Sequence, residues 1–139
     1  KQRESERMAN PFVYHTPGTI RAPFANYSHA VELPPDARII VCSGQLGITL
    51  QDHVPEGSEA QTDLIFSNIA EVLASADMDL SNIVRINAYV SDRDHLGGYM
   101  RARDRYVSDP PPASTLMIVS GFARPEFVVE VEVLAAKAR

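Results

Sequence analysis

The sequence contains a single cysteine, Cys42, among its 139 residues, which excludes an intrachain disulfide and a cysteine-based metal cluster. No apolar run approaches the ~20 residues that a membrane-spanning helix needs, and no secretory pattern opens the chain. Basic residues are outnumbered as well, because 13 Lys and Arg stand against 18 Asp and Glu and leave a net charge of −5. A nucleic-acid partner usually requires a basic surplus. We therefore expect a cytoplasmic protein with no membrane partner and no nucleic-acid partner.

A length of 139 residues suits one domain. The first ten residues carry almost nothing that can be buried, so we expect residues 1–10 to form a flexible leader and residues 11–139 to form a single domain. The four histidines do not follow one another at the spacing typical of a zinc site. The residues thus predict no metal site.

Eight segments carry the patterns of regular secondary structure. In chain order they are strands over residues 12–14, 28–33 and 37–42, a helix from residue 58, a strand over 83–90, a helix over 95–107, and strands over 115–119 and 127–135. The first helix has the clearest signals, because Ser58 and Gln61 fit a capping box and an apolar stripe follows at helical spacing. The order β-β-β-α-β-α-β-β predicts an α+β sandwich with two helices on one face of a six-stranded mixed sheet.

The last predicted strand alternates between valines and other residues. Valines occupy positions 129, 131 and 133, while Glu130, Glu132 and Leu134 would point to the opposite face. Carboxylates on a solvated sheet face would give the same pattern. However, two helices on the valine side leave the other side uncovered in a monomer, and self-association is the simplest cover.

Four short motifs stand in register with these elements. They are, in chain order, Tyr27-Ser28-His29-Ala30-Val31 entering a strand, Ser43-Gly44-Gln45 leaving one, Asn68-Ile69 in the first helix, and Pro112-Ala113-Ser114-Thr115 leading into Val129-Glu130-Val131-Glu132. In this order and at these spacings the chain resembles the RidA/YjgF family, also labelled L-PSP endoribonucleases or translation inhibitors. The resemblance covers roughly residues 17–136.

The resemblance implies a chorismate-mutase-like fold and a homotrimer with clefts for small acids at its subunit interfaces. The best-known members of the family hydrolyse enamines and imines, such as 2-aminoacrylate, to 2-keto acids and ammonia without a metal or cofactor. By position, Glu130 matches the carboxylate that holds the attacking water. By position, Tyr27 would line the substrate cleft, Ser43 and Gly44 would offer hydroxyl and backbone groups there, and backbone N–H groups near Thr115 would hold the developing charge.

Three positions depart from the family pattern: Thr115 stands where the family has a cysteine, Arg103 stands where an asparagine is usual on the second helix, and Ala113 stands where an arginine is expected. Active imine deaminases of the family read Pro-Ala-Arg-Ser where this chain reads Pro111-Pro112-Ala113-Ser114, so Ala113 replaces the arginine that grips the substrate carboxylate as a bidentate fork. We therefore expect weak or no 2-aminoacrylate hydrolysis. Arg103 on the second helix and Arg124 before the last strand are the candidate replacements for substrate binding. Two hypotheses stay open: a cofactor-independent imine or enamine hydrolase of altered specificity, and a non-catalytic trimer that binds a ligand or an interaction partner.

Overall fold

The computed structural model describes residues 11–139, so the predicted leader, residues 1–10, lies outside the described residues. The described residues form six strands and two α-helices in the predicted order. The strands are β1 (Val13–His15), β2 (Ala30–Glu32), β3 (Arg38–Leu46), β4 (Ile83–Val90), β5 (Ala113–Ile118) and β6 (Val129–Lys137), and the helices are α1 (Ser58–Ala74) and α2 (Leu96–Asp104). Short 3₁₀ turns, Leu80–Asn82 and Arg93–His95, precede β4 and α2.

The strands divide into a four-stranded sheet, ordered β3-β6-β4-β5, and a two-stranded ribbon of β1 and β2. In the larger sheet β6 runs antiparallel to both β3 and β4, whereas β4 and β5 run parallel. The chain meets this sheet just before β2, where Ser28 forms a β-bridge with Ala113. The backbone amide of Ser28 donates to the Pro112 carbonyl at 3.0 Å. The predicted α+β architecture is thus confirmed, with its six strands divided four and two.

Both helices pack on one face of the four-stranded sheet. Ile65, Phe66 and Ile69 of α1 share one buried cluster with the three valines of β6. The alternation predicted for β6 is confirmed, because these valines are buried while the residues between them are half-buried. Complete burial of a large apolar side chain contributes roughly 1.5–3 kcal/mol, so this layer stabilises the sheet against the helices.

The start of α1 is held by contacts between elements. Its N-cap residue is Gly57, and no side chain caps it. Ser58 is buried against α2, where Gly98 leaves room for its hydroxyl; a Cβ atom at residue 98 would overlap Ser58 Oγ. The amide of Gln61 donates instead to the carbonyls of Pro55 and Glu126. The predicted capping box is therefore wrong. The Ser58 side chain packs against α2, and the Gln61 side chain donates to carbonyl groups outside α1.

The opposite face of the four-stranded sheet is covered at one end. There the ribbon packs Phe12 against Val84 of β4 and Ala136 of β6. Beyond that end, large apolar side chains remain exposed, among them Val41 and Met117. Between residues 11 and 139, no helix combines the length and the apolar character needed to cross a membrane.

Candidate functional site

The uncovered part of the sheet, which we call the open face, carries most of the predicted site residues. It comprises Val41, Ser43 and Gly44 of β3, Glu130 and Glu132 of β6, Arg85, Asn87 and Tyr89 of β4, and Ala113, Thr115 and Met117 of β5. These positions alternate with residues such as Ile86 and Val131, which are buried under the helices. The predicted site residues on this face are Ser43, Gly44, Ala113, Thr115 and Glu130.

Glu130 is a half-buried carboxylate without a partner of its own. Within residues 11–139 it makes no hydrogen bond and no ion pair, and burial raises the pKa of its carboxyl, as does the nearby charge of Glu132. Gly44 permits this position, because a Cβ atom at residue 44 would lie 2.5 Å from Glu130 Oε1. A carboxylate with a raised pKa and free oxygens is suited to accept a proton from water.

Glu132, two residues further along β6, is engaged instead. Its Oε1 accepts hydrogen bonds from Tyr89 Oη at 2.8 Å and from Asn87 Nδ2 at 3.3 Å. The bond to Glu132 raises the pKa of the Tyr89 phenol, because the carboxylate holds the phenolic proton. Glu132 therefore joins β6 to β4 at the centre of the open face, and Glu130 is the carboxylate left available for chemistry.

Arg85 is a basic residue of the open face that sequence reasoning missed. Its Cα pairs with that of Ala113 across β4 and β5, and its Nη2 donates to Thr115 Oγ1 at 2.8 Å. A positive charge therefore stands beside the position where the family pattern places an arginine. A local signal was present, because Arg85, Asn87 and Tyr89 alternate with apolar residues. The pairing with Ala113 has no such local signal.

Tyr27 and Arg103 lie on the helix side of the sheet, in a cleft of about 240 Å³ whose wall also includes Ser114. Arg103 is 3% exposed, and its Nε and Nη2 both donate to Asp104 Oδ1, at 3.1 and 3.0 Å. Its guanidinium carbon lies 5.6 Å from the centre of the Tyr99 ring. Arg103 is thus a buried, already paired cation at the wall of this cleft.

Arg124 belongs to neither the open face nor the cleft. It lies in the loop before β6, where its Nε is 3.3 Å from Glu126 Oε1. Its guanidinium carbon stacks 4.7 Å from the centre of the Phe127 ring. These contacts are local to the loop, so Arg103 is the better placed of the two candidate replacements.

The predicted site residues therefore form two groups that one chain keeps apart. Ser43, Gly44, Ala113, Thr115 and Glu130 share the open face, whereas the cleft with Tyr27 and Arg103 lies behind the same sheet. Strand β5 separates the groups, because its successive side chains point to opposite faces. A single site that uses both groups requires a second copy of the chain.

Metal-ligating and nucleophilic side chains are sparse in the part of the chain that the structure describes. It contains no group of three or more His, Cys, Asp or Glu side chains arranged to hold a metal ion. Cys42 is buried and free, and burial raises the pKa of its thiol. A protonated, enclosed thiol is a poor nucleophile, so Cys42 is a poor candidate for a catalytic residue.

Comparisons with known proteins cover nearly the whole chain. The model of the family described as Endoribonuclease L-PSP matches residues 19–137. HMF1 from Saccharomyces cerevisiae is 30% identical over 115 residues, which cover 81% of this chain and 85% of HMF1. The 2-iminobutanoate/2-iminopropanoate deaminase of Mus musculus is 28% identical over 123 residues, which cover 86% of this chain and 88% of the deaminase.

Solved structures share the fold. YyfB from Yersinia pestis, described as a Rid-family protein of unknown function, has a TM-score of 0.77 at 25% identity, covering 91% of this chain and 98% of YyfB. RidA from Psychrobacter sp. PAMC 21119 has a TM-score of 0.66 at 27% identity, covering 82% of this chain and 90% of that protein.

Proposed function

This chain belongs to the endoribonuclease L-PSP family, and we propose that it hydrolyses the C=N bond of a small 2-imino acid or of its enamine tautomer. The observation that carries the proposal is Glu130, a half-buried carboxylate with a raised pKa and no partner among residues 11–139. The mouse relative, named as a deaminase of 2-iminobutanoate and 2-iminopropanoate, supports the substrate class.

In the proposed reaction Glu130 holds a water molecule and accepts one of its protons. The water oxygen bonds to the imine carbon, and the electron pair of the C=N bond moves to nitrogen, which takes up that proton from Glu130. Glu130 then accepts the proton of the new hydroxyl group as the C=O bond forms, and it passes this proton to the departing nitrogen. The C–N bond breaks, and the products are a 2-keto acid and ammonia.

Other residues of the open face are proposed to orient the substrate. The β3–β6 register shifts between Cys42 and Gln45, and a bulge of this kind re-aims side chains at the edge of a site. We assign the Ser43 hydroxyl, the Gly44 backbone and the Thr115 hydroxyl to hydrogen bonds with the substrate. Ala113 leaves space for it.

The proposed assembly is a homotrimer in which a neighbouring copy brings its cleft, with Tyr27 and Arg103, against the open face. Val41 of the open face is 78% exposed in the single chain. Exposed apolar side chains of this kind mark association surfaces, and closure by rotational symmetry is the usual arrangement of identical chains. The two groups of site residues would then form one site between copies.

The first prediction concerns turnover by Glu130→Gln. The assay measures 2-keto acid formation from 2-imino acids, including 2-iminobutanoate, that an amino-acid oxidase generates in situ. Glu130→Gln should reduce the rate to that of spontaneous hydrolysis, because the amide has nearly the same volume but cannot accept a proton from water. The wild-type rate should fall as the pH drops through the raised pKa of Glu130, above its ordinary value of 4.5, since a protonated carboxyl is not a base.

Glu71→Gln is the matched control. Glu71 is exposed on α1, away from the open face, so this substitution should leave turnover unchanged. Wild-type turnover by Glu130→Gln, with the oligomeric state intact, would show that Glu130 does not activate the water.

A non-catalytic ligand-binding trimer is the second candidate, and Ala113 favours it, because active imine deaminases of the family have an arginine at this position. Titration with 2-oxobutanoate separates the two candidates, since it measures occupancy of the site without requiring turnover. Binding of the keto acid without hydrolysis of any tested 2-imino acid would establish the binding function instead.

A further inference from the structure

Arg85 is a half-buried cation on the open face. Its Nη2 donates to Thr115 Oγ1 at 2.8 Å, and within residues 11–139 no carboxylate oxygen lies within ion-pair distance of its guanidinium. By contrast, an ion pair with a carboxylate is formed by each of Arg101, Arg103, Arg105 and Arg124. Arg85 therefore retains a positive charge that no acid of the described chain neutralises.

The acidic residues on the same face are not its partners. Glu132 accepts hydrogen bonds from Tyr89 and Asn87. Glu130 forms no ion pair among residues 11–139, and it lies opposite Tyr89, four residues along β4 from Arg85. A guanidinium without an acidic partner can pair with an anion, so an anionic ligand fits this place on the face.

Arg85 lies beside the small side chain of Ala113 on the neighbouring strand β5. Its Cα pairs with that of Ala113 across the parallel β4–β5 ladder, and such neighbours share a face at about 4.8 Å between strands. The methyl group of Ala113 reaches less far above β5 than an arginine side chain would. Thr115 holds one edge of the guanidinium, and the other N–H groups of its planar fork remain for a ligand.

We propose that Arg85 binds the substrate carboxylate on the open face and so replaces, from β4, the arginine that β5 lacks at residue 113. The ligand class is a small 2-imino or 2-keto monocarboxylate, and this class rests on the proposed function. A guanidinium matches a carboxylate with two parallel hydrogen bonds, which fixes the orientation of the acid as well as its affinity.

The test measures binding of 2-oxobutanoate by isothermal titration calorimetry. Arg85→Met keeps an unbranched, flexible side chain but removes the charge and the hydrogen-bond donors, so it should weaken binding about 10- to 100-fold. Arg85→Lys should recover part of the affinity, because an ammonium keeps the charge without the bidentate fork. Arg93→Met is the matched control, since Arg93 is exposed in the turn before α2, and it should bind as the wild type does.

A double variant that moves the arginine from residue 85 to residue 113 gives a sharper test. In the double variant Arg85→Met/Ala113→Arg the guanidinium returns to β5, and binding should recover to within about threefold of the wild type, less than 1 kcal/mol. Ala113→Arg alone should not improve binding, because two guanidinium groups would then compete for one carboxylate.

Several outcomes would overturn the assignment. One is wild-type affinity in Arg85→Met, and another is the absence of keto-acid binding in the wild type. A third is a change of oligomeric state in both Arg85→Met and Arg85→Lys, which would make Arg85 an interface contact. A failure of the proposed function can be told apart from these outcomes. In that case the wild type hydrolyses no 2-imino acid, but Arg85→Met still loses the keto-acid binding that the wild type shows.

Discussion

Glu130 and Glu132 point to the same face of β6 and differ in their surroundings. Glu132 accepts two hydrogen bonds from β4, whereas Glu130 lies against the bare backbone of Gly44. Burial and the charge of Glu132 raise the pKa of Glu130. At the scale of the residue, the missing side chain of Gly44 therefore leaves the space that the Glu130 carboxylate occupies.

Gly44→Ala is predicted to displace Glu130 without unfolding the protein. The new Cβ would lie 2.5 Å from Oε1 and 2.9 Å from the carboxyl carbon of Glu130, and the end of a flexible side chain moves easily. A shift of about 1 Å in a catalytic group costs about 100-fold in rate, so turnover should fall by that order while the Tm changes little. Gly18→Ala is the control, because no atom lies within 4 Å of a Cβ at that position. Unchanged turnover in Gly44→Ala would contradict the assignment of Glu130.

Helix α1 depends on one buried amide at its first turn. Gln61 is 1% exposed, its Nε2 donates to the carbonyls of Pro55 and Glu126, and its Oε1 accepts from the amide of Val128. The side chain thus joins the helix to the loop before it and to the residues that lead into β6. At the scale of the element, Gln61 helps to set where β6, and with it Glu130, begins.

Gln61→Met is predicted to lower the free energy of unfolding by about 2–4 kcal/mol, because it leaves three backbone groups without their partner. Methionine has a similar volume, so the loss reports hydrogen bonds and not a cavity. Urea denaturation at fixed protein concentration measures it, with Gln51→Met in the exposed loop after β3 as the control. A loss below about 0.5 kcal/mol, the range of ordinary surface substitutions, would show that water or other groups replace these bonds.

The whole molecule has one sheet face under its helices and one face largely uncovered. The ribbon of β1 and β2 covers one end of the second face, while Val41 and Met117 stay exposed on the rest of it. The site residues are divided in the same way, between the open face and the cleft behind it. In an assembly, a neighbouring copy would cover the exposed apolar side chains, and it would also bring its cleft to the open face.

Val41→Glu is predicted to convert a homotrimer into a monomer, because it buries an unpaired charge in the interface. Sedimentation velocity should give three times the 15.3 kDa of one chain for the wild type and the mass of one chain for the variant. Leu50→Glu is the control, since Leu50 is 94% exposed in the loop after β3, and it should sediment as the wild type does. A wild-type monomer at micromolar concentration would remove the shared site.

The elements were predictable because periodicity is a local property of the sequence. Strand β4 occupies Ile83–Val90 as predicted, and β6 alternates between buried valines and half-buried residues. The ends of elements shifted where pairing extends them. Strand β3 continues to Leu46, which pairs with Glu130, and β5 begins at Ala113, which pairs with Arg85.

The sequence by itself determined the order of the elements, the face of β6 that carries Glu130, and the absence of an arginine at residue 113. Tertiary structure alone decided which residues became neighbours: Arg85 beside Ala113, Gly44 against Glu130, and Tyr27 with Arg103 behind the sheet. The physical reason is that strand register and packing depend on contacts between residues far apart in the chain. A slip of one residue in a register would turn each of these side chains to the other face.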